Sequence, residues 1–222
     1  MADLIAEASV VGHNLRLAER AIADACIRMG RRPEGVKICA ATKYVGPEGM
    51  QSLADAGVLI AAENRLQDMA AKQEAFGDRF EWHFIGAIQS RKMLEIARRA
   101  AVVHSLATES ARDKLAALET PPPRVLVQVN VSGEESKQGV APELLGGFLG
   151  RCPIEVTGLM TMPPAVDDPE EARPYFRALA ELAGEHGLAE LSMGTSQDYV
   201  VAVEEGATLV RLGSVLFKPL SK

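Results

Sequence analysis

The chain has 222 residues, 47% of them hydrophobic, and a formal net charge of −6. That is enough apolar material for one sizeable core, and the acidic balance excludes a general affinity for nucleic acid or an anionic membrane. No apolar run approaches the ~20 residues that span a bilayer, and Met1-Ala2-Asp3-Leu4 carries no basic leader. The three cysteines, Cys26, Cys39 and Cys152, lie far apart without a CxxC pair, as expected of reduced thiols in a cytoplasmic protein.

The first predicted element is a helix. Leu4, Ala8, Val11, Leu15, Ala18, Ile22, Cys26 and Met29 recur at steps of three and four, giving one apolar stripe. Gly30 stops it, and Arg31-Arg32-Pro33-Glu34-Gly35 is a turn. Short apolar runs then alternate with amphipathic stretches. Strands are predicted over 37–43, 58–64, 81–86, 101–106, 124–131, 154–161, 190–194 and 209–217. Helices are predicted over 47–56, 65–76, 89–100, 109–118, 142–149, 169–185 and 197–205. The clearest helix start is Asp168-Pro169-Glu170-Glu171: Asp168 caps, Pro169 suits the first helical position and Glu171 completes a capping box. Gly187 ends that helix.

Strands alternating with helices every ~25 residues signify βαβ units and a parallel sheet. Eight units predict an α/β fold, a single-domain (β/α)8 TIM barrel spanning 1–222, with residues 1–30 forming an additional N-terminal helix packed on the barrel. A doubly wound open sheet is the alternative, and it is disfavoured because no GxGxxG or GxxxxGK[ST] turn follows any strand.

In a barrel, chemistry gathers where strands end. The run Lys37-Ile38-Cys39-Ala40-Ala41-Thr42-Lys43 ends in an amine before the loop Tyr44-Val45-Gly46-Pro47. At the rim of a core an amine is poorly solvated, which favours the neutral form able to condense with an aldehyde. The competing reading is a strand-end lysine reaching into solvent. The other ends supply Asn64, Gly86, Ser105, Asn130, Met160, Ser192-Met193-Gly194-Thr195-Ser196 and Arg211-Leu212-Gly213-Ser214. The last two loops read as an anion cradle, glycines giving backbone N–H groups close approach and hydroxyls adding donors, beside the fixed charge of Arg211. Amine plus phosphate cradle describes a site for a phosphorylated aldehyde, and pyridoxal 5'-phosphate is the candidate.

Other polar residues read as structural. His83 and His104 fall within strands and are expected as satisfied interior histidines, and His13 and His186 as solvated helix residues. No HxH, HExxH or carboxylate cluster points to a metal. Alternation sends the side chains of Glu63 and Asn64 to opposite sides of their strand, and Tyr44 away from Lys43. Tyr199 is the one tyrosine placed to reach the rim, and Lys137 is a plain surface lysine.

Several stretches carry a resemblance. Ala62-Glu63-Asn64-Arg65-Leu66-Gln67-Asp68, His83-Phe84-Ile85-Gly86 and Gly158-Leu159-Met160 belong to it. So do the run from Val129-Asn130-Val131-Ser132-Gly133 to Gln138-Gly139, Leu191-Ser192-Met193-Gly194-Thr195-Ser196-Gln197-Asp198 and Val210-Arg211-Leu212-Gly213-Ser214. In this order and spacing the chain resembles the pyridoxal phosphate homeostasis proteins, whose fold is similar to the amino-terminal domain of alanine racemase. The resemblance implies that Lys43 is the Schiff-base lysine, that Ser192, Gly213 and Ser214 hold the phosphate, and that Arg211 faces the pyridine nitrogen. Asn64, Met160, Gly194 and Thr195 complete the expected cofactor-binding set, with no catalytic residue. The chain departs from the family's usual pattern at Ala62, Arg91, Thr195 and Lys218.

The implied function is to hold, buffer and deliver pyridoxal phosphate without substantial catalysis, as a monomer or weak dimer, with apo enzymes that use the cofactor as recipients. The alternative is a fold type III amino-acid racemase. That reaction needs proton transfer on both faces of the substrate carbon, and the tyrosines here are poorly placed to serve the second face. A barrel enzyme for an unrelated phosphorylated substrate is a third reading.

Overall fold

A computed structural model describes residues 7–134 and 137–219. Leu4 of the predicted helix, and Glu135 and Ser136 of the loop after the fifth strand, lie outside the described residues. Eight parallel strands close into a barrel in sequence order: β1 (Lys37–Ala41), β2 (Ile60–Glu63), β3 (Glu81–Phe84), β4 (Val102–Leu106), β5 (Arg124–Gln128), β6 (Val156–Met160), β7 (Glu190–Thr195) and β8 (Leu209–Leu212). Lys37 pairs with Leu209 and Ala40 with Leu212, so β8 returns to β1 and no sheet edge is left open. The helices are α1 (Ala8–Arg28), α2 (Pro47–Asp55), α3 (Leu66–Phe76), α4 (Met93–Arg99), α5 (Glu109–Lys114), α6 (Leu145–Gly150), α7 (Arg173–Glu185), α8 (Tyr199–Glu204) and α9 (Ser214–Phe217).

Period-two alternation sorts the strand side chains into two layers. Outward residues such as Val103, Val125, Val127, Leu159, Val210 and Leu212 join the helices in one continuous apolar layer. Inward residues form two small clusters, Val102 with Leu126, Met160 and Leu209, and Cys39 with Ile60 and Ala62. Other inward positions are polar and include His83, His104, Ser192 and Arg211. α1 buries Val11, Leu15, Ala18, Ile22 and Cys26 against α2, α8 and α9, whereas Met29, expected on that stripe, is exposed. Each large apolar side chain so buried contributes roughly 1.5–3 kcal/mol.

Two expectations need correction. The last strand stops at Leu212, and the apolar run that follows is the short helix α9. A short buried apolar run has no periodicity that separates strand from helix. Here Asn14 of α1 decides the matter, since its Nδ2 donates to the carbonyls of Leu216 (3.1 Å) and Lys218 (2.8 Å). Likewise Asp168 caps without a capping box. Its carboxylate accepts from the Glu170 N–H (3.0 Å) of a single 3-10 turn over Pro169–Ala172, and α7 begins only afterwards, at Arg173.

The α7–α8 contact is held by charge. Arg173 donates to Glu170, Glu204 and Glu205, while Arg28 also pairs with Glu204 and Arg177 with Glu205. Hydrogen bonds from these arginines hold the carboxyls of Glu204 and Glu205 below the ordinary value of 4.5. The unfolded chain therefore binds protons first as pH drops, so this stability is complete above about pH 4.5 and is lost as pH falls through the folded-state values. Urea midpoints measured from pH 7 to pH 3 are expected to fall in that acid window, and Arg173→Ala is expected to flatten the fall. An unchanged acid limb in Arg173→Ala would count against the network.

Candidate functional site

A cavity of about 630 Å³ opens at the carboxyl ends of the strands. Of the nine expected residues, Lys43, Asn64, Thr195, Arg211, Gly213 and Ser214 line it.

The amine stands on a turn. β1 ends at Ala41, Val45 N–H donates to Thr42 O (2.8 Å), and Lys43 sits exposed between them. The expected poorly solvated rim amine is thus corrected: the strand stops two residues early and Lys43 faces the open cavity. The turn also brings Tyr44 beside it, with Lys43 Nζ 5.0 Å from the ring centroid, so the expectation that Tyr44 points away fails. Behind the turn lies the fully buried carboxylate of Glu63. It accepts from Thr42 Oγ1 (2.7 Å) and from the Asn64 N–H (3.2 Å), and it pairs with Lys72. Lys72 Nζ also donates to Thr42 O (2.7 Å). One ion pair therefore anchors both the Lys43 turn and the end of β2 that carries Asn64. Across from it, a Cβ on Gly86 would lie 2.0 Å from Asn64 O, so only glycine lets the end of β3 approach that closely.

The opposite wall is the cradle. The N–H groups of Gly213 and Val215 converge on Ser196 Oγ at 3.0 and 3.3 Å. Two backbone donors aimed at one oxygen are the arrangement an oxyanion requires. Asp198 shapes the loop by accepting from Thr195 N–H (2.6 Å) and Thr195 Oγ1 (2.9 Å). Gly194, at φ +89, makes the bend, and a Cβ there would lie 2.6 Å from Ala202 Cβ.

Arg211 forms the floor and is 4% exposed. Its hydrogen bonds leave from the two terminal nitrogens, Nη1 to Ser192 O and Oγ (both 2.7 Å) and Nη2 to Thr161 O (2.9 Å) and Met162 Sδ (2.9 Å). Burial lowers its pKa to about 10, so it stays cationic at neutral pH. Below it a hydrogen-bonded file crosses the barrel. Ser192 Oγ meets His104 Nδ1 at 2.7 Å, His104 Nε2 meets His83 Nδ1 at 2.9 Å, and His83 Nε2 meets Glu81 Oε1 at 3.0 Å. One tautomer set satisfies every link, each group donating toward Glu81. Arg124 Nη2 closes the far end on Glu81 (2.7 Å). Burial holds both imidazoles below their ordinary value, hence neutral.

Three expected residues do not reach the cavity wall. Ser192 is fully buried, its hydroxyl occupied by Arg211 and His104. Met160 belongs to the inner apolar cluster, and Gly194 acts through the backbone. Tyr199, expected near the rim, is half-buried on α8. Ser105 Oγ donates to Gly86 O (2.5 Å), and Asn130 Nδ2 bonds the loop carbonyls of Glu134 and Lys137, so both are structural. Ser196, named in the cradle loop but left out of the expected cofactor-binding set, lines the cavity, as do Tyr44 and Met162.

The sequence profile of the alanine racemase N-terminal domain matches residues 19–220. A pyridoxal phosphate homeostasis protein of Aquifex aeolicus is 41% identical over 216 residues, 91% of this chain and 94% of its own length. The chain belongs to the pyridoxal phosphate homeostasis protein family. The relative of that name from Pseudomonas aeruginosa is 36% identical over 94% of this chain and 95% of its own. Among solved structures, an unknown protein from Bifidobacterium adolescentis superposes with TM-score 0.85 at 28% identity, covering 97% of this chain and all of the other. PipY of Synechococcus elongatus PCC7942 with pyridoxal phosphate bound gives 0.72 at 28% identity, covering 89% and 100%. Alanine racemase from Corynebacterium glutamicum, at 16% identity and TM-score 0.71, shares the fold, with 65% of its chain covered. Of the positions expected to depart from the family's pattern, Thr195 lies on the cavity wall and Ala62 in the inner layer. No helix among the described residues is long and apolar enough to cross a membrane.

Proposed function

We propose that the chain binds pyridoxal 5'-phosphate covalently through Lys43 and serves its homeostasis by buffering and delivering the cofactor. The observation that carries this reading is that one cavity is lined by an exposed primary amine, a buried cation and Ser196, on whose hydroxyl the Gly213 and Val215 N–H groups converge. The residues fit the group. Lys43 Nζ supplies the amine for the aldehyde carbon. Ser196, Gly213, Ser214 and the Val215 N–H supply donors for the phosphate. The edge of Arg211 left by its two occupied terminal nitrogens would hold the ring nitrogen. Homologues named for pyridoxal phosphate homeostasis, and PipY with the cofactor bound, support it.

When bound, the cofactor supplies an electron sink only as strong as its ring nitrogen allows. A buried guanidinium that remains protonated adds no proton there, which weakens the sink but does not by itself decide between holding and turnover. Tyr44 keeps the racemase reading in view because it is a second ionisable group on the cavity wall. It follows Lys43 on the same turn, however, and racemisation needs groups on both faces of the carbon. Incubating the loaded protein with L-alanine in deuterated water is expected to give no stoichiometric exchange at the α-carbon within minutes. Rapid exchange or accumulating D-alanine would overturn the carrier reading and make Tyr44 the residue to mutate.

The cradle has its own test. Losing one donor to a charged oxygen costs roughly 1.5–3 kcal/mol, so Ser196→Ala is expected to weaken pyridoxal phosphate binding by tens of fold and leave pyridoxal unaffected. Equal affinities of the wild-type protein for the two ligands would refute the cradle.

A further inference from the structure

The centre of the barrel holds a group of ligating atoms that lie beneath the cofactor site and do not line its cavity. Cys39 Sγ lies 3.8 Å from His83 Nδ1, which lies 2.9 Å from His104 Nε2, and all three fall within 4.8 Å of one another. They come from β1, β3 and β4, point inward, and have no exposed surface. An ion at ~2.0 Å from each nitrogen sees them at an angle of roughly 90°, and the 3.8 Å between Cys39 Sγ and His83 Nδ1 matches a sulfur bond of ~2.3 Å to the same ion. A second feature prepares them. The outer nitrogen of each ring is already held by an oxygen, His83 Nε2 by Glu81 (3.0 Å) and His104 Nδ1 by Ser192 (2.7 Å). That support fixes metal-binding imidazoles in orientation, and burial keeps both rings in the neutral, ligating state.

We propose that Cys39, His83 and His104 form a binding site for one thiophilic, closed-shell monovalent metal ion, Cu(I). Thiolate with imidazole selects soft ions over hard ones. Zn(II) takes four ligands, and among the described residues this cluster has three. Charge decides in the same direction. Arg211 already places one cation on Ser192, the neighbour of His104. A monovalent ion with a thiolate adds no net charge there, whereas a divalent ion adds one more positive charge to a buried region.

The exchange balances without oxidation or reduction. One Cu–S and two Cu–N bonds form, the Cys39 thiol proton passes to solvent, and the His104 proton moves from Nε2 to Nδ1, facing Ser192 Oγ. The buried Cys39 thiol gives up its proton as the cation takes its place. The His83–His104 hydrogen bond is broken, which cuts the file beneath Arg211 while leaving Glu81 on His83.

The test is an anaerobic Cu(I) titration of the purified protein against a chromophoric Cu(I) chelator, with proton release followed in weakly buffered solution. One equivalent is expected to resist the chelator with one proton released per ion. Cys39→Ala is expected to weaken retention on the order of 100-fold or more, and Cys26→Ala to leave it unchanged. X-ray absorption of the wild-type complex is expected to show one sulfur and two nitrogens at copper, and this reading stands even where Cys39→Ala fails to fold. No retained copper, retention indifferent to Cys39, a copper shell without sulfur, or Zn(II) held as tightly as Cu(I) would each overturn the proposal.

Discussion

Replacing Lys43 with alanine is expected to abolish covalent cofactor attachment completely while leaving the barrel folded. The side chain is exposed on the turn after β1 and lines the cavity, and its contact is with the Tyr44 ring. A surface substitution of this kind changes stability by about 0.5 kcal/mol or less. The measurement is borohydride reduction of cofactor-treated protein followed by peptide mass mapping, with circular dichroism as the folding control. The wild-type protein is expected to carry the reduced group on Lys43 and the variant to carry none. Finding it on Lys37 or Lys137 would overturn the assignment. Lys37 begins β1 at the opposite end of the barrel, where residues serve stability, and Lys137 lies in the loop after β5.

The second large effect is expected at Glu63. Truncation to alanine leaves Lys72 without its carboxylate partner and removes the acceptor for Thr42 Oγ1 and the Asn64 N–H. Removing one member of a buried pair costs about 3–5 kcal/mol. Lys72 keeps 16% side-chain exposure, which places the cost near 3 kcal/mol, the lower end of that range. Cofactor affinity is expected to fall with stability, because the same carboxylate holds the Lys43 turn and Asn64. Denaturant unfolding measures the first effect and cofactor titration the second. The double variant Glu63→Gln with Lys72→Met is expected to recover much of the lost stability, since it strands no charge. A Glu63→Ala protein as stable as the parent would show that the pair anchors nothing.

Much of this architecture could be read from the chain, because each strand is an apolar run closed off by Gly, Pro or a polar turn, and strand order follows from the alternation. Reading strand ends as a rim also located Lys43, Asn64, Arg211, Gly213 and Ser214 on one cavity. What it could not supply was depth. Ser192 and Met160 have the inward parity of site residues but sit too low in the barrel to reach the cavity wall. Ser196 lies beyond the Gly194 bend, where parity no longer applies, and there it meets the Gly213 and Val215 N–H groups. Tyr44 was misdirected for the same reason, since the strand ended at Ala41 and the chain turned. The two histidines were foreseen as interior. Their junction through Ser192 to Arg211 was not, because it depends on the stagger of β3, β4 and β7, which no local pattern encodes.

The polar file through the barrel also bears on how the chain finds its fold. In a sheet, a slip of one residue turns every inward side chain outward. For β3 that slip would drive Glu81 and His83 into the apolar layer and bring Trp82 and Phe84 to the axis, leaving His104 Nε2 without its His83 partner. A barrel lined throughout by aliphatic residues would tolerate many near-equal alignments. Here one stagger satisfies five linked groups at once, so the polar file fixes the alignment in which the ring closes.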